Sequence, residues 1–339
     1  MSAPILARGL LLTLGLAVFA GLGWRIGPEG ILAYLQPLGW TALLVIPPYL
    51  LAVVLDVLGW RYTFDRPFPL GLLRLTGIHV IGKAVNLLTP LAPIGGEPLK
   101  AYLLHTKGIP LPEGLASVVV SKTLVTIAQG LFILAATGFA FVYLDLPAPL
   151  LQAALGTTAA GAALVGLFVL TQTRGLFTRL SEMLKSAGLR LSTLDQGARD
   201  LDGRIATYYR RPSPRLLTAL GLHFLSWLAE GLEAYILLAL LGLSPSVGFA
   251  LALTALSSGV RAASFMVPAG LGIQEGGNVF IFLSFGLPAE AAMAFSLIRR
   301  LREVLWLGAG FVLLSWSGLA SRSALTSLSP GVHEGEIVA

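Results

Sequence analysis

The chain contains no cysteine, and only 12% of its residues are charged. The first absence excludes thiolate nucleophiles, disulfides, zinc ribbons and iron–sulfur clusters. The second excludes more. Soluble enzymes carry about a quarter charged residues, so dehydrogenases, kinases and hydrolases built on a solvated α/β domain do not fit. Histidine is scarce: His79, His105, His223 and His333 show no HExxH-like spacing, so no metal site is expected. No glycine run has the strand context and spacing of a P-loop or a dinucleotide-binding turn, so no cofactor is expected either.

What is abundant is apolar sequence, 55% of 339 residues with a mean hydropathy of +0.82. That is too little polar surface to cover a water-soluble globule, and it defines an all-α integral membrane protein. Stretches of the length needed to cross a hydrocarbon core of roughly 30 Å fall near 8–24, 38–59, 113–143, 149–171, 216–242 and 290–317, giving about six full spans. The net charge of +6 is concentrated between Arg174 and Arg215, where nine Arg or Lys residues face Glu182, Asp195, Asp200 and Asp202. A basic loop between spans marks the cytoplasmic side and needs no nucleic acid to explain it. Arg8 and Arg322 place both termini on that same side, and Arg61 and Arg66 the end of the second span.

Two segments are too short and too broken to be spans. An apolar helix from Gly71 to Leu88 is interrupted by Pro90, Pro93, Gly95 and Gly96, and about ten residues then precede Lys107. Ten helical residues cover about 15 Å, half a bilayer. The expected structure is a re-entrant hairpin over 71–106, with a second over 247–287 broken at 267–277. A shift of 178 residues superposes Lys83 on Arg261, Pro90 on Pro268 and Glu97 on Glu275; at 177, Glu113 meets Glu290 and Lys122 meets Arg299. The expectation is an inverted-topology repeat, residues 1–147 and 148–322, followed by a cytoplasmic tail over 323–339. An amphipathic helical insert over 174–212 should lie on the cytoplasmic face as a linker covering the bundle, with gating or anionic-lipid sensing as its alternative role.

Charges fall inside these apolar segments. Each costs roughly 2.5–3.5 kcal/mol near a helix centre, so the six at Lys83, Glu97, Lys122, Arg261, Glu275 and Arg299 must pair or face water. Four bases against two acids leave a positive site suited to an anionic head group. Asn86, Gln129, Arg302 and Glu303 adjoin them. The tips, Pro90, Gly95 and Gly96 on one hairpin and Pro268, Gly270, Gly272, Gly276 and Gly277 on the other, should turn free backbone N–H groups inward. Simpler readings stand beside these. The charges could serve to glue the hairpins together. His79 and Asn86 fit interhelical hydrogen bonding, and the polar face of Ser117, Ser121, Thr123, Thr126 and Gln129 fits a packing seam. Asp56, Glu230 and Glu233 are candidate proton carriers, Asp56 also a candidate for snorkelling.

The runs VNLLTPLAPIGGEPLKAYLL (85–104), ASVVVSKTLVTIAQG (116–130), VPAGLGIQEGG (267–277) and SLIRRLREVLW (296–306) resemble the flippase-like transmembrane region of lysylphosphatidylglycerol synthases. The Arg-Arg-Leu-Arg-Glu string is also similar to hopanoid-biosynthesis-associated membrane proteins of that superfamily. The resemblance implies a lipid translocator of the bacterial inner membrane, with Glu97, Lys122, Glu275 and Arg299 at motif positions. The soluble catalytic domain of the aminoacyl-transferring members is expected to be absent, so transport is favoured over enzymatic activity. Two alternatives remain: a membrane transferase acting on a phospholipid or polyprenyl lipid with Glu97 or Glu275 as base, and a scaffold for a lipid-synthesis complex. The expected partners are membrane lipids with polar or anionic head groups, then a second copy of the chain or lipid-biosynthesis proteins.

Overall fold

A computed structural model describes residues 3–64, 70–88, 95–143, 148–186, 192–210, 213–264 and 267–317. Among these residues every regular element is helical: α1 (Ala3–Ile26), α2 (Pro28–Leu35), a 3-10 segment (Gly39–Val45), α3 (Ile46–Arg61), α4 (Leu72–Leu88), α5 (Glu97–His105), α6 (Leu111–Tyr143), α7 (Ala148–Thr173), α8 (Leu176–Ser186), α9 (Ser192–Arg210), α10 (Pro214–Leu240), α11 (Val247–Ala263), α12 (Ile273–Ser284) and α13 (Ala289–Trp316). Among the described residues four stretches are long and apolar enough to cross a membrane: Gly39–Arg61, Leu111–Tyr143, Leu151–Thr173 and Pro214–Leu240. They match four of the six expected spans. Of the other two, the first overlaps the shorter apolar helix Leu12–Ile26, and the last falls on α13, which carries Glu290, Arg299, Arg300, Arg302 and Glu303.

The helix ends follow local chemistry. Ser213 and Ser246 cap α10 and α11, their hydroxyls accepting from the N–H groups of Leu216 (3.4 Å) and Phe249 (3.1 Å), which satisfies a donor that would otherwise be orphaned in the first turn. Proline in the first turn of α3, α5 and α10 removes another such donor without cost.

The packing is that of helices in lipid. On α6 the buried positions include Gly114, Ser117, Ser121, Leu124 and Ala128, while Leu131, Leu134, Phe141 and Val142 are exposed. Water cannot drive helices together in hydrocarbon, so small and polar residues take the seams and large apolar ones face outward. The broadest seam joins α3 to α10. Around it, α4 packs on α5 and on α13, while α11 packs on α12 and on α6; α5 lies on α6 and α12 on α13. One aromatic-rich cluster, with Phe249, Phe282 and Phe295 at its centre, joins α10 to α13; another, with Trp60, Leu75 and Leu104, joins α3 to α5.

Within the 174–212 stretch, α8 and α9 pack on each other, and α9 packs on α7 and docks on α6 through Leu201, Ile205 and Tyr208. Asp202 fixes the pair: its carboxylate accepts from the Phe177 N–H at 3.1 Å, the Thr178 N–H at 2.7 Å and the Thr178 hydroxyl at 2.7 Å.

Candidate functional site

The side chains expected around one pocket line two separate cavities. The first lies between α3, α4, α5, α6 and α10. Its geometry begins with a close approach: Gly96 stands so near the backbone of Gly82 that a β-carbon at 96 would overlap the Gly82 carbonyl. That contact sets Asn86 of α4 across the start of α5. The Asn86 side chain donates to Glu97 Oε1 at 3.0 Å and accepts from the Gly96 N–H at 2.6 Å. The other Glu97 oxygen takes Lys100 Nζ at 2.9 Å, an i,i+3 pair on the short helix. Lys100 runs its stem over Gly82 and sets its ammonium 5.7 Å from the centre of the Trp60 ring.

On the opposite wall Asp56 of α3 is held from two sides. Lys83 Nζ lies 3.3 Å from Oδ2, and Oδ1 is 3.1 Å from His223 Nδ1. The far nitrogen of His223 lies 3.4 Å from the Ser121 hydroxyl. Beside Ser121, Lys122 lines the cavity and makes no side-chain hydrogen bond or ion pair with the described residues. The cavity measures about 70 Å³, room for water or a small polar group. Lys83, Lys100 and Lys122 face Asp56 and Glu97, so ionised side chains leave it one positive charge in excess.

The second cavity is smaller, about 10 Å³. Its hairpin tip needs glycine: Gly270 has φ 59° and Gly272 φ 78°, conformations that cost other residues strain. Glu275, in the first turn of α12, accepts from the Gly272 N–H at 2.7 Å through one oxygen and from Arg300 Nε at 2.6 Å through the other. Arg300 continues to the Ala269 carbonyl and to Glu303, both at 2.7 Å, which ties the tip to α13. Arg299 points elsewhere, 3.6 Å from Glu230 and 3.9 Å from Glu233. Arg302 bonds Glu233, and Arg261 lies 4.0 Å from Glu230. Deeper, Asn278 links Ser257 and Ser296 at 2.7 and 2.9 Å. Arg261, Arg299, Arg300 and Arg302 are matched by Glu230, Glu233, Glu275 and Glu303, so this cluster is charge-balanced.

Thus Lys83, Asn86, Glu97 and Lys122 meet at the first cavity, and Arg261, Glu275, Arg299 and Glu303 at the second. Arg302 is buried beside the second, while Gln129 instead bridges α6 to α11 through the Ser258 carbonyl at 3.5 Å. Pro90 lies outside the described residues. Pro268 opens a 3-10 turn, Gly95 precedes α5, Gly276 abuts Leu22 of α1, and Gly277 abuts Val260 of α11. Of the tip amides, those of Gly96 and Gly272 are occupied, the Asn86 and Glu275 side chains accepting from them. Lys100, Arg300 and His223 were missing from the expected site. Lys100 was readable as an i,i+3 partner of Glu97; His223, 167 residues from Asp56, has no local signal.

Long apolar helices around buried ion pairs and polar cavities define a multi-pass, all-helical membrane protein. The chain belongs to the family described as the lysylphosphatidylglycerol synthase TM region, whose model matches residues 12–310. No curated protein and no solved structure gives a significant match. Membership gives the chain a membrane lipid-related function.

Proposed function

We propose that the protein is a lipid translocator of the bacterial inner membrane. An anionic or polar head group enters the first cavity while the acyl tails stay in lipid. The observation that carries this reading is Lys122, a cation in a cavity of excess positive charge with no side-chain partner among the described residues. Lys122 is half-buried, and a charge left without a partner in apolar surroundings is costly, so an arriving anion gains the attraction that the protein itself withholds. The second cavity, neutral and tied through Arg300, is a structural anchor.

In this reading α4 with α5 and α11 with α12 are re-entrant hairpins, both termini are cytoplasmic, and residues 1–147 and 148–322 form inverted repeats with a tail beyond. Support comes from α5, whose nine residues reach only about 14 Å, and from the matching order of packing around the α3–α10 seam. Asp56 and Glu233 stand 177 residues apart, the same offset as Lys122 and Arg299. Rocking of one repeat against the other would open the cavity to alternate sides.

The test is transport in liposomes containing tail-labelled phosphatidylglycerol, read by chemical quenching of label reaching the outer leaflet. Wild-type protein should speed the movement, and Lys122→Ala should slow it at least about tenfold, the cost of about 1.4 kcal/mol of binding. Absence of movement with the wild type, or an unchanged rate in folded Lys122→Ala, would overturn the reading.

A further inference from the structure

The array Ser121–His223–Asp56 is the part of the first cavity that head-group binding alone does not use. His223 is buried, at 1% exposure. Both ring nitrogens are engaged, by Asp56 at 3.1 Å and by Ser121 at 3.4 Å, and a β-carbon at Gly59 would strike the ring, its nearest approach 2.7 Å. The ring is therefore held in one orientation. A carboxylate at Nδ1 fixes the N–H there, which leaves Nε2 as the basic nitrogen, receiving the Ser121 hydroxyl on the cavity side.

We infer that the first cavity binds a proton together with the head group, with His223 Nε2 as the proton's acceptor, so that translocation is coupled to proton movement. The inference rests on the head-group reading above. The charges around the ring make the link. From α4 it faces Lys83 and His79, from α5 Lys100 and Glu97, from α6 Lys122, and from α3 Asp56; Arg261 of α11 is engaged by Glu230, two turns along α10. Three lysines stand against two carboxylates around the ring, one positive charge in excess. An anionic head group reverses that balance and stabilises the imidazolium, and by linkage the imidazolium strengthens anion binding by the same factor. The proton comes from hydronium or a buffer acid in the aqueous phase, whose O–H bond breaks as the Nε2–H bond forms and whose conjugate base keeps the electron pair; Ser121 turns to accept the new N–H. The order serine, histidine, carboxylate is also that of acyl-transfer enzymes. Ser121, however, lies mid-way in α6, where the backbone N–H groups are committed to helix bonds, so its own helix offers no amide pair to hold an oxyanion.

Titration calorimetry of the purified full chain in detergent tests this. The probe is dihexanoyl-phosphatidylglycerol, a phosphodiester with no titratable proton near neutral pH, in buffers of different ionisation enthalpy. The expected result is uptake of about one proton per lipid bound, falling at least fivefold in His223→Gln while binding persists. Asp56→Asn, which removes the carboxylate behind the ring, should cut uptake several-fold and serves if His223→Gln does not fold. Binding with a heat independent of buffer would overturn the coupling and leave the head-group site standing. Uptake lost in His79→Gln but kept in His223→Gln would overturn the assignment to His223. Absence of binding by the wild type would overturn the head-group reading and the coupling with it.

Discussion

The guanidinium of Arg302 lies 3.9 Å from the centre of the Tyr49 ring, and the ammonium of Lys83 approaches the same ring at 5.8 Å. Lys83 belongs to the first charged cluster and Arg302 to the second, so one aromatic side chain of α3 touches both. A cation over an aromatic face is worth up to about 2 kcal/mol when desolvated. Tyr49→Phe should keep transport near wild type, whereas Tyr49→Leu should lower stability by about 1–2 kcal/mol and slow transport. Thermal unfolding in detergent and liposome transport check both; equal behaviour of the two variants would contradict a bridging role for the ring.

Glu233 is fully buried and shared by Arg302 and Arg299. Removing its charge leaves two buried guanidinium groups without that partner, and breaking a buried pair costs about 3–5 kcal/mol. Glu233→Gln should therefore unfold far more readily than wild type in a denaturing-detergent titration. A change under about 1 kcal/mol would mean that water reaches the cluster and screens it.

The two motif glutamates should separate in their effects. Glu275, at 1% side-chain exposure, holds its own tip and Arg300; Glu97, at 13%, borders the larger cavity. Glu275→Gln is expected to reduce stability by about 2–4 kcal/mol and Glu97→Gln by less, with the larger loss of transport in Glu97→Gln per folded molecule. Stability and transport measured on the same preparations would expose the opposite ranking.

Gly96 meets the backbone of Gly82. Backbone cannot yield as a side-chain end can, so Gly96→Ala should push α5 from α4 and cost at least about 1–3 kcal/mol. Loss of the Asn86 bridge should accompany it, seen as faster hydrogen exchange at Glu97 to Lys100. Unchanged exchange would show that the approach is looser than the structure has it.

The all-helical class, four of the spans and the family were legible from apolar run lengths and the two glycine–glutamate motifs. Which charge meets which was not. In the pair Arg299 and Arg300, successive helix positions differ by about 100°, and that rotation sends Arg300 to Glu275 and Arg299 to Glu230 and Glu233. A sequence offset equating Lys122 with Arg299 cannot reveal such a turn. Asp56, Glu230 and Glu233 were visible as charges in apolar helices, yet their partners lie on other helices: His223 across the α3–α10 seam and Lys83 on α4 for Asp56, Arg261 on α11 and Arg299 and Arg302 on α13 for the two glutamates. The division into two cavities is likewise a product of tertiary packing.

The most direct measurement is a structure of the protein with short-chain phosphatidylglycerol bound. The account predicts a phosphate in the first cavity, within about 3 Å of Lys122 Nζ and bordered by Glu97 and His223. Lipid confined to the outer helix faces, or a phosphate beside Arg261 and Glu303 with the Lys122 cavity unfilled, would contradict it.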